Sequence, residues 1–221
     1  MMIWIQKKKD LEIKINLFNY DFEKTINDSD RLGFEEESIN CCSNNVIYNL
    51  NLDGCVLKFK IINRCLDLFN CIEGEDIIKI GYKEADKEEV NYANVKLAES
   101  CSFNGLIFDV IINNDQTQEI MGTIQKVFGF SCYNNSIEIK NSEESYKYII
   151  RENGNCSRKF YDIIKENKKA IEKSIKEELV GTIEKINSCS ILKNKYDIKF
   201  KKRIIYKDKF LIIIGGIIIQ I

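Results

Sequence analysis

A chain of 221 residues that is 44% hydrophobic and 30% charged has apolar material for one large domain or two small ones and enough charge to be soluble. It contains no histidine, so the usual general base of serine, cysteine or metal mechanisms is missing and an enzyme is not expected. Its nine cysteines are an odd number without a CxxC pair, which argues against a zinc site or a secreted disulfide framework and for a reducing compartment.

Taken in chain order, residues 1–20 alternate apolar and polar at Leu11, Ile13, Ile15 and Leu17 and predict a strand. The apolar start Met1–Ile5 stops at Lys7, Lys8 and Lys9, far short of a signal-peptide core. Asp21–Ser38 sets seven carboxylates against Lys24 and Arg31 and reads as a solvated acidic loop. Within it, Asp28, Asp30 and Gly33 match the spacing of a calcium loop. Leu32 and Ile39 stand where oxygen ligands are required, so the match fails. Residues 46–62 (VIYNLNLDGCVLKFKII) are two alternating runs about Asp53-Gly54, whose tolerance of positive φ predicts a two-residue hairpin. Shorter strand-like runs follow at Ile77–Tyr82 and Asn94–Ala98, separated by the charged loop Lys83–Val90.

The second half holds an internal repeat: EIMGTIQKV at 119–127 and ELVGTIEKI at 178–186. Each follows a related strand, IFDVIIN at 107–113 and FYDIIKE at 160–166, and each leads to an alternating strand, SIEIK at 136–140 and YDIKF at 196–200. The unit is a β-meander used twice. Gly122 and Gly181 inside it mark a bulge or a close approach of strands. Glu166–Lys176 has helical spacing at Ile171 and Ile175 and predicts a short helical excursion before a strand resumes at Leu179.

The C-terminal run Phe210–Ile221 (FLIIIGGIIIQI) carries no charge, and a segment that is apolar on every side must be buried all round. As a helix the run would be about 18 Å long, against a hydrocarbon core of about 30 Å. No stretch of the chain reaches the length of an ordinary membrane span. Its isoleucines also suit a strand. The expectation is a mostly β protein: a closed barrel of a dozen strands around a core helix over 206–221. Phe210, Leu211, Ile213 and Ile217 would fill the barrel, and Gly215 and Gly216 would let its walls approach. Membrane insertion of this segment is a conditional second reading.

The order F-D-V-I-I, I-M-G-T-I-Q-K, S-I-E-I, F-Y-D-I-I, V-G-T-I-E-K and Y-D-I-K-F, closed by an apolar C-terminus, resembles the phospholipid scramblases. The hairpin NVIYNLNLDGCVLKFKI, with Cys41-Cys42 before it and Cys65 after it, looks like the start of the same domain. The resemblance implies a Tubby-like fold, twelve strands around a buried C-terminal helix, over residues 45–221, with 1–44 as a partly acidic N-terminal segment. It also implies membrane association and movement of phospholipids between leaflets. The alternative is a Tubby-like barrel that binds anionic lipids such as phosphoinositides, or a protein partner, and transports nothing. The chain departs from the family in having no proline. Its counterpart of the family's acylated cysteine cluster keeps only Cys101, with Cys41 and Cys42 as further candidate acylation sites, and a single acyl chain anchors a protein only marginally. The family's calcium segment aligns with Leu192–Ile205, where Asp197 stands alone among lysines and Arg203. No calcium site, and no cofactor, is expected there.

That same segment is the candidate binding site. Between Lys193 and Lys209 eight basic residues stand against Asp197 and Asp208. Lys199, Lys201, Lys202, Arg203 and Lys207 form a strip suited to anionic headgroups, at about 1 kcal/mol per basic residue near a membrane surface. An ordinary solvated edge strand blunted by lysine is an equal alternative. Nucleic-acid phosphates are a third, without any accompanying recognition motif, and such a partner is not expected. The reading is therefore a cytoplasmic, membrane-associated protein on the cytoplasmic face of an anionic phospholipid membrane.

Overall fold

The computed structural model describes residues 22–37, 46–62, 73–84, 87–102, 105–114, 117–127, 136–142, 147–153, 160–166, 177–186 and 194–220. They form a short helix α1 (residues 22–28), twelve strands and a C-terminal helix α2 (Tyr206–Ile218). The strands are β1 (Arg31–Glu36), β2 (Val46–Leu52), β3 (Cys55–Ile61), β4 (Asp76–Glu84), β5 (Val90–Ser102) and β6 (Gly105–Asn114). They continue as β7 (Thr117–Val127), β8 (Ser136–Asn141), β9 (Lys147–Glu152), β10 (Phe160–Glu166), β11 (Glu177–Ile186) and β12 (Lys195–Phe200). Each strand pairs antiparallel with its neighbours in sequence, and β12 returns to β1 over Arg31↔Lys199 to Glu35↔Lys195, closing the barrel. Closure removes the exposed sheet edges that would otherwise pair with other chains.

The alternation of the sequence becomes the two faces of the wall. In β3, Cys55, Leu57, Phe59 and Ile61 are buried inward. The hairpin turns at Asp53-Gly54 as expected, with Leu52 opposite Cys55 and Gly54 at φ 82°. The repeat is also structural. Gly122 and Gly181 each follow a residue left out of the pairing, because the register slips between Val110/Ile111 in one copy and Ile163/Ile164 in the other. Both extra residues, Met121 and Val180, are buried. A Cβ on Gly122 would fall 2.7 Å from Leu211 Cδ1, so the bulge lets the wall meet α2.

Helix α2 runs through the barrel. From Asp208 to Ile218 every residue is buried, and the apolar run from Phe210 satisfies its backbone internally while filling the interior. The adjacent glycines face different walls. A Cβ at Gly215 would come within 2.9–3.2 Å of Ile139, Ile150 and Ile137, and one at Gly216 within 3.0 Å of Ile183.

Several expectations change. The stretch read as a solvated acidic loop supplies α1 and β1, so the barrel begins at Arg31, inside the segment expected to precede it. Leu32 and Phe34 point inward at 4% and 1% exposure while the charges of β1 point outward, an alternation hidden by the count of carboxylates. Strand β9 was not expected, because Tyr148, Ile149 and Ile150 are buried in succession and break the period of two. The strand expected over 1–20 and the helical excursion beyond Glu166 lie outside the described residues, as does Ile221.

Ile213 is fully buried in the middle of α2. An Ile213→Asp substitution buries an unpaired carboxylate at a cost of several kcal/mol. Circular dichroism should show no cooperative thermal transition, and a melt like that of the wild type would contradict the filled-barrel packing.

Candidate functional site

Strand β12 presents Tyr196, Ile198 and Phe200 to the interior and Lys195, Asp197 and Lys199 to the outside. Cross-strand register decides what these outward charges meet. Lys195 pairs with Glu35 of β1 at 2.8 Å, and Lys199 lies 3.7 Å from Glu184 of β11 and 3.3 Å from Asp197. Asp197 is 4% exposed even though it faces out, because Arg31 of β1 lies across it and donates from Nε at 2.8 Å. The strand portion of the basic strip is thus matched by carboxylates.

The connector that follows is different. Lys201, Lys202 and Arg203 are all exposed, and Lys202 pairs with Glu178. Among the described residues Lys201 and Arg203 enter no ion pair. The Lys201 N–H donates to the Val180 carbonyl at 2.8 Å, which holds the connector against the start of β11. There Leu179 is 41% exposed, and Ile205 at the far end of the connector is 53% exposed. Two cations beside two exposed aliphatic side chains make an amphipathic rim at the barrel end where α2 enters. Lys207, the last member of the expected strip, is half-buried on the first turn of α2. It opposes the upward pKa shift that burial imposes on the Glu23 carboxyl.

The root of α2 holds two charged residues, Asp208 and Lys209, which the sequence reading counted only in the charge balance of the basic segment. Asp208 is 3% exposed and accepts hydrogen bonds from Asn141 Nδ2 and the Tyr148 hydroxyl, both at 2.9 Å. Lys209 is 1% exposed, and its ammonium donates to the carbonyls of Ile26, Asn27 and Ser29 at 3.2, 2.8 and 2.7 Å. These carbonyls belong to the C-terminal end of α1, where acceptors lack helical partners and the helix dipole is negative. Phe22 of α1 packs edge-on against Tyr82, Tyr92, Tyr206 and Phe210, with centroids 5.4–6.3 Å apart. Helix α1 therefore lies across the end of the barrel at which α2 begins. The sequence carried no signal for this site, since nothing in the spacing of Asn141 and Tyr148, on neighbouring strands, connects them to Asp208.

Of the remaining expectations, Cys41 and Cys42 lie outside the described residues, as does the side chain of Cys101. Cys55 is buried, and burial pushes its thiol pKa up, away from reactivity. Among the described residues no group of three or more acidic or cysteine side chains is placed to hold a metal ion, and no helix is long and apolar enough to cross a membrane. A shallow depression of about 400 Å³ lies over Gly33 between Arg31, Glu35, Lys195 and Asp197, and its two cations and two carboxylates compensate each other.

Two predictions follow from the root of α2. Lys209→Met leaves three buried carbonyls without their donor and should destabilise the fold by about 1–3 kcal/mol. In hydrogen exchange the loss should be concentrated in α1 rather than in β8 or β9. The second concerns alkali. Burial raises the Tyr92 hydroxyl to about 12 and raises Tyr82, Tyr196 and Tyr206 as well. A group whose folded pKa is raised stabilises fully below its unfolded value near 10, and that contribution fades as pH climbs toward the folded value. Burial lowers Lys126 and Lys209 and acts in the opposite sense, but the tyrosines outnumber them. Denaturant midpoints should therefore fall between pH 10 and 12, with tyrosinate absorbance appearing together with unfolding.

No protein-family model, no curated protein and no solved structure matches the chain.

Proposed function

We propose that this chain is a scramblase-like or Tubby-like barrel that binds anionic phospholipid headgroups on the cytoplasmic face of a membrane, without calcium. The observation that carries the reading is the amphipathic rim. Lys201 and Arg203 are exposed and outside any ion pair among the described residues, and Ile205 and Leu179 are exposed beside them. Basic residues draw a surface toward anionic lipid, and short aliphatic side chains gain by entering the headgroup boundary. Calcium is not part of the reading, because the segment that would supply carboxylates in the family supplies ammonium groups here.

Movement of phospholipids between leaflets is the second reading, favoured by the closed twelve-strand barrel and its C-terminal helix, an architecture compatible with a scramblase-like fold. A version in which α2 leaves the barrel to span the bilayer has less support. Its 13 residues make a helix of about 20 Å against about 30 Å of hydrocarbon. Its root is also held by Asp208 and Lys209 through five hydrogen bonds.

Co-sedimentation with vesicles of phosphatidylserine and phosphatidylcholine tests the binding. It should occur at 0.1 M salt with a chelator present and be lost toward 1 M, as the Debye length falls from about 10 Å to about 3 Å. Lys201→Gln with Arg203→Gln should weaken it by roughly 30-fold at about 1 kcal/mol per cation, with an unchanged melting temperature. Binding that needs calcium, or that the double variant retains in full, would overturn the proposal. A fluorescent-lipid flip assay on the same vesicles separates binding from transport.

A further inference from the structure

A second group of cations without ion-pair partners among the described residues lies on the barrel wall. The outward polar positions of β2, β3 and β4 are Asn49, Asn51, Lys58, Lys60, Lys79 and Lys83, with the Asp76 carboxylate at the start of β4 beside Lys79. Register places Lys60 directly opposite Lys79, Lys58 opposite Gly81 and Lys83 opposite Val56. Like charges directly opposite one another destabilise a sheet. On β8 and β9, where Lys140 likewise stands opposite Lys147, carboxylates compensate: Lys147 meets Glu138 and Glu166, and on β12 Lys195 meets Glu35. On β3 and β4 only Lys79 finds a carboxylate, Asp76 at 3.9 Å, and among the described residues Lys58, Lys60 and Lys83 enter no ion pair.

One carboxylate does reach the middle of this face. Gly81 has no side chain, and the Glu89 side chain lies over it: a Cβ there would fall 2.8 Å from Glu89 Cγ and Cδ. The carboxylate occupies the space that a side chain at 81 would take, flanked by Lys79 and Lys83 two residues away along β4 and by Lys58 across the ladder. Strand spacing of about 4.8 Å and a rise of about 3.3 Å per residue put those three α-carbons within about 7 Å of Gly81. Glu89 itself enters no ion pair among the described residues and is exposed, so it rests on the face without being locked to it.

We infer that the outer face of β3–β4 is a binding site for a phosphomonoester dianion, and that Glu89 is an intramolecular stand-in which the ligand displaces. Asp76 beside Lys79 and Glu89 over Gly81 offset two of the four ammonium charges and leave a surplus. A phosphomonoester supplies up to two negative charges and three acceptor oxygens in a compact group. Lysines are compact, strongly hydrated point charges on flexible stems, which suits such a group better than a planar bidentate anion. This site is separate from the connector and does not depend on membrane binding there.

The test is calorimetric titration of the full chain with inorganic pyrophosphate as the probe. The wild type should bind, Glu89→Gln should bind several-fold tighter, and the Lys58→Gln, Lys79→Gln, Lys83→Gln triple variant should lose binding by tenfold or more. Should the triple variant not fold, Lys79→Gln alone should still weaken binding. Lys201→Gln with Arg203→Gln should leave pyrophosphate affinity unchanged, which distinguishes failure of this site from failure of the connector. A parallel arm with vesicles separates a lipid from a free phosphoester: phosphatidic acid bound in preference to phosphatidylserine at matched surface charge, lost in the lysine variants, identifies a headgroup. Pyrophosphate binding without that preference identifies a soluble ligand. Equal affinity of the wild type and Glu89→Gln would overturn the stand-in, and undiminished binding by the lysine variants would overturn the site.

Discussion

A closed barrel of twelve strands encloses a space that must be filled, and here one helix, uncharged from Phe210 onward, fills it. Every other feature of the fold serves that constraint. A helix is the right filler because its backbone donors and acceptors pair internally, so only its ends need outside partners. Phe210, Leu211, Ile212, Ile213, Ile214, Ile217 and Ile218 are buried within the ring of wall residues, and each such side chain is worth about 1.5–3 kcal/mol relative to exposure. Gly122, Gly215 and Gly216 let wall and helix press together, while Gly181 lets neighbouring strands of the wall approach.

The entry of that helix is where polarity has to be reconciled with burial. Asp208 and Lys209 are both withdrawn from water, and each meets its partners at good hydrogen-bond distance: an amide and a phenol for the acid, three carbonyls for the base. Lys209 serves two elements at once. The charge left at the start of α2 becomes the cap for the orphan carbonyls of α1, so the N-terminal helix and the C-terminal helix are joined by one side chain. The Phe22 aromatic cluster adds an apolar contact at the same end of the barrel.

Outside the barrel, register determines which lysines are available. Those of β12 lie between β1 and β11, whose outward carboxylates neutralise them, while on β3 and β4 Lys60 faces Lys79, and across to β2 Lys58 meets Asn49 and Lys60 meets Ile47. Two cationic regions stand out among the described residues: a rim at the connector with Ile205 and Leu179 exposed beside its charges, and a face on β3–β4 where Lys60 and Lys79 stand opposite each other and Ile62 is exposed at the strand end.

The sequence by itself determined the elements whose pattern is local. The β2–β3 hairpin, the repeated G-T-I strands, the placement of bulges at Gly122 and Gly181 and the buried apolar terminus all follow from periods of two, from glycine, or from the absence of charge. It missed β1, because outward carboxylates outnumber Leu32 and Phe34, and β9, because a strand buried at three successive residues has no alternation to read. Charge balance was decided only in three dimensions. Lys199 and Glu184 are brought together by the β11–β12 pairing, Lys209 and Ser29 by closure of the whole chain, and Lys60 and Lys79 by the β3–β4 register. A side chain's charge is local, but its partner is set by which strand lies alongside, and that depends on contacts between residues far apart in the chain.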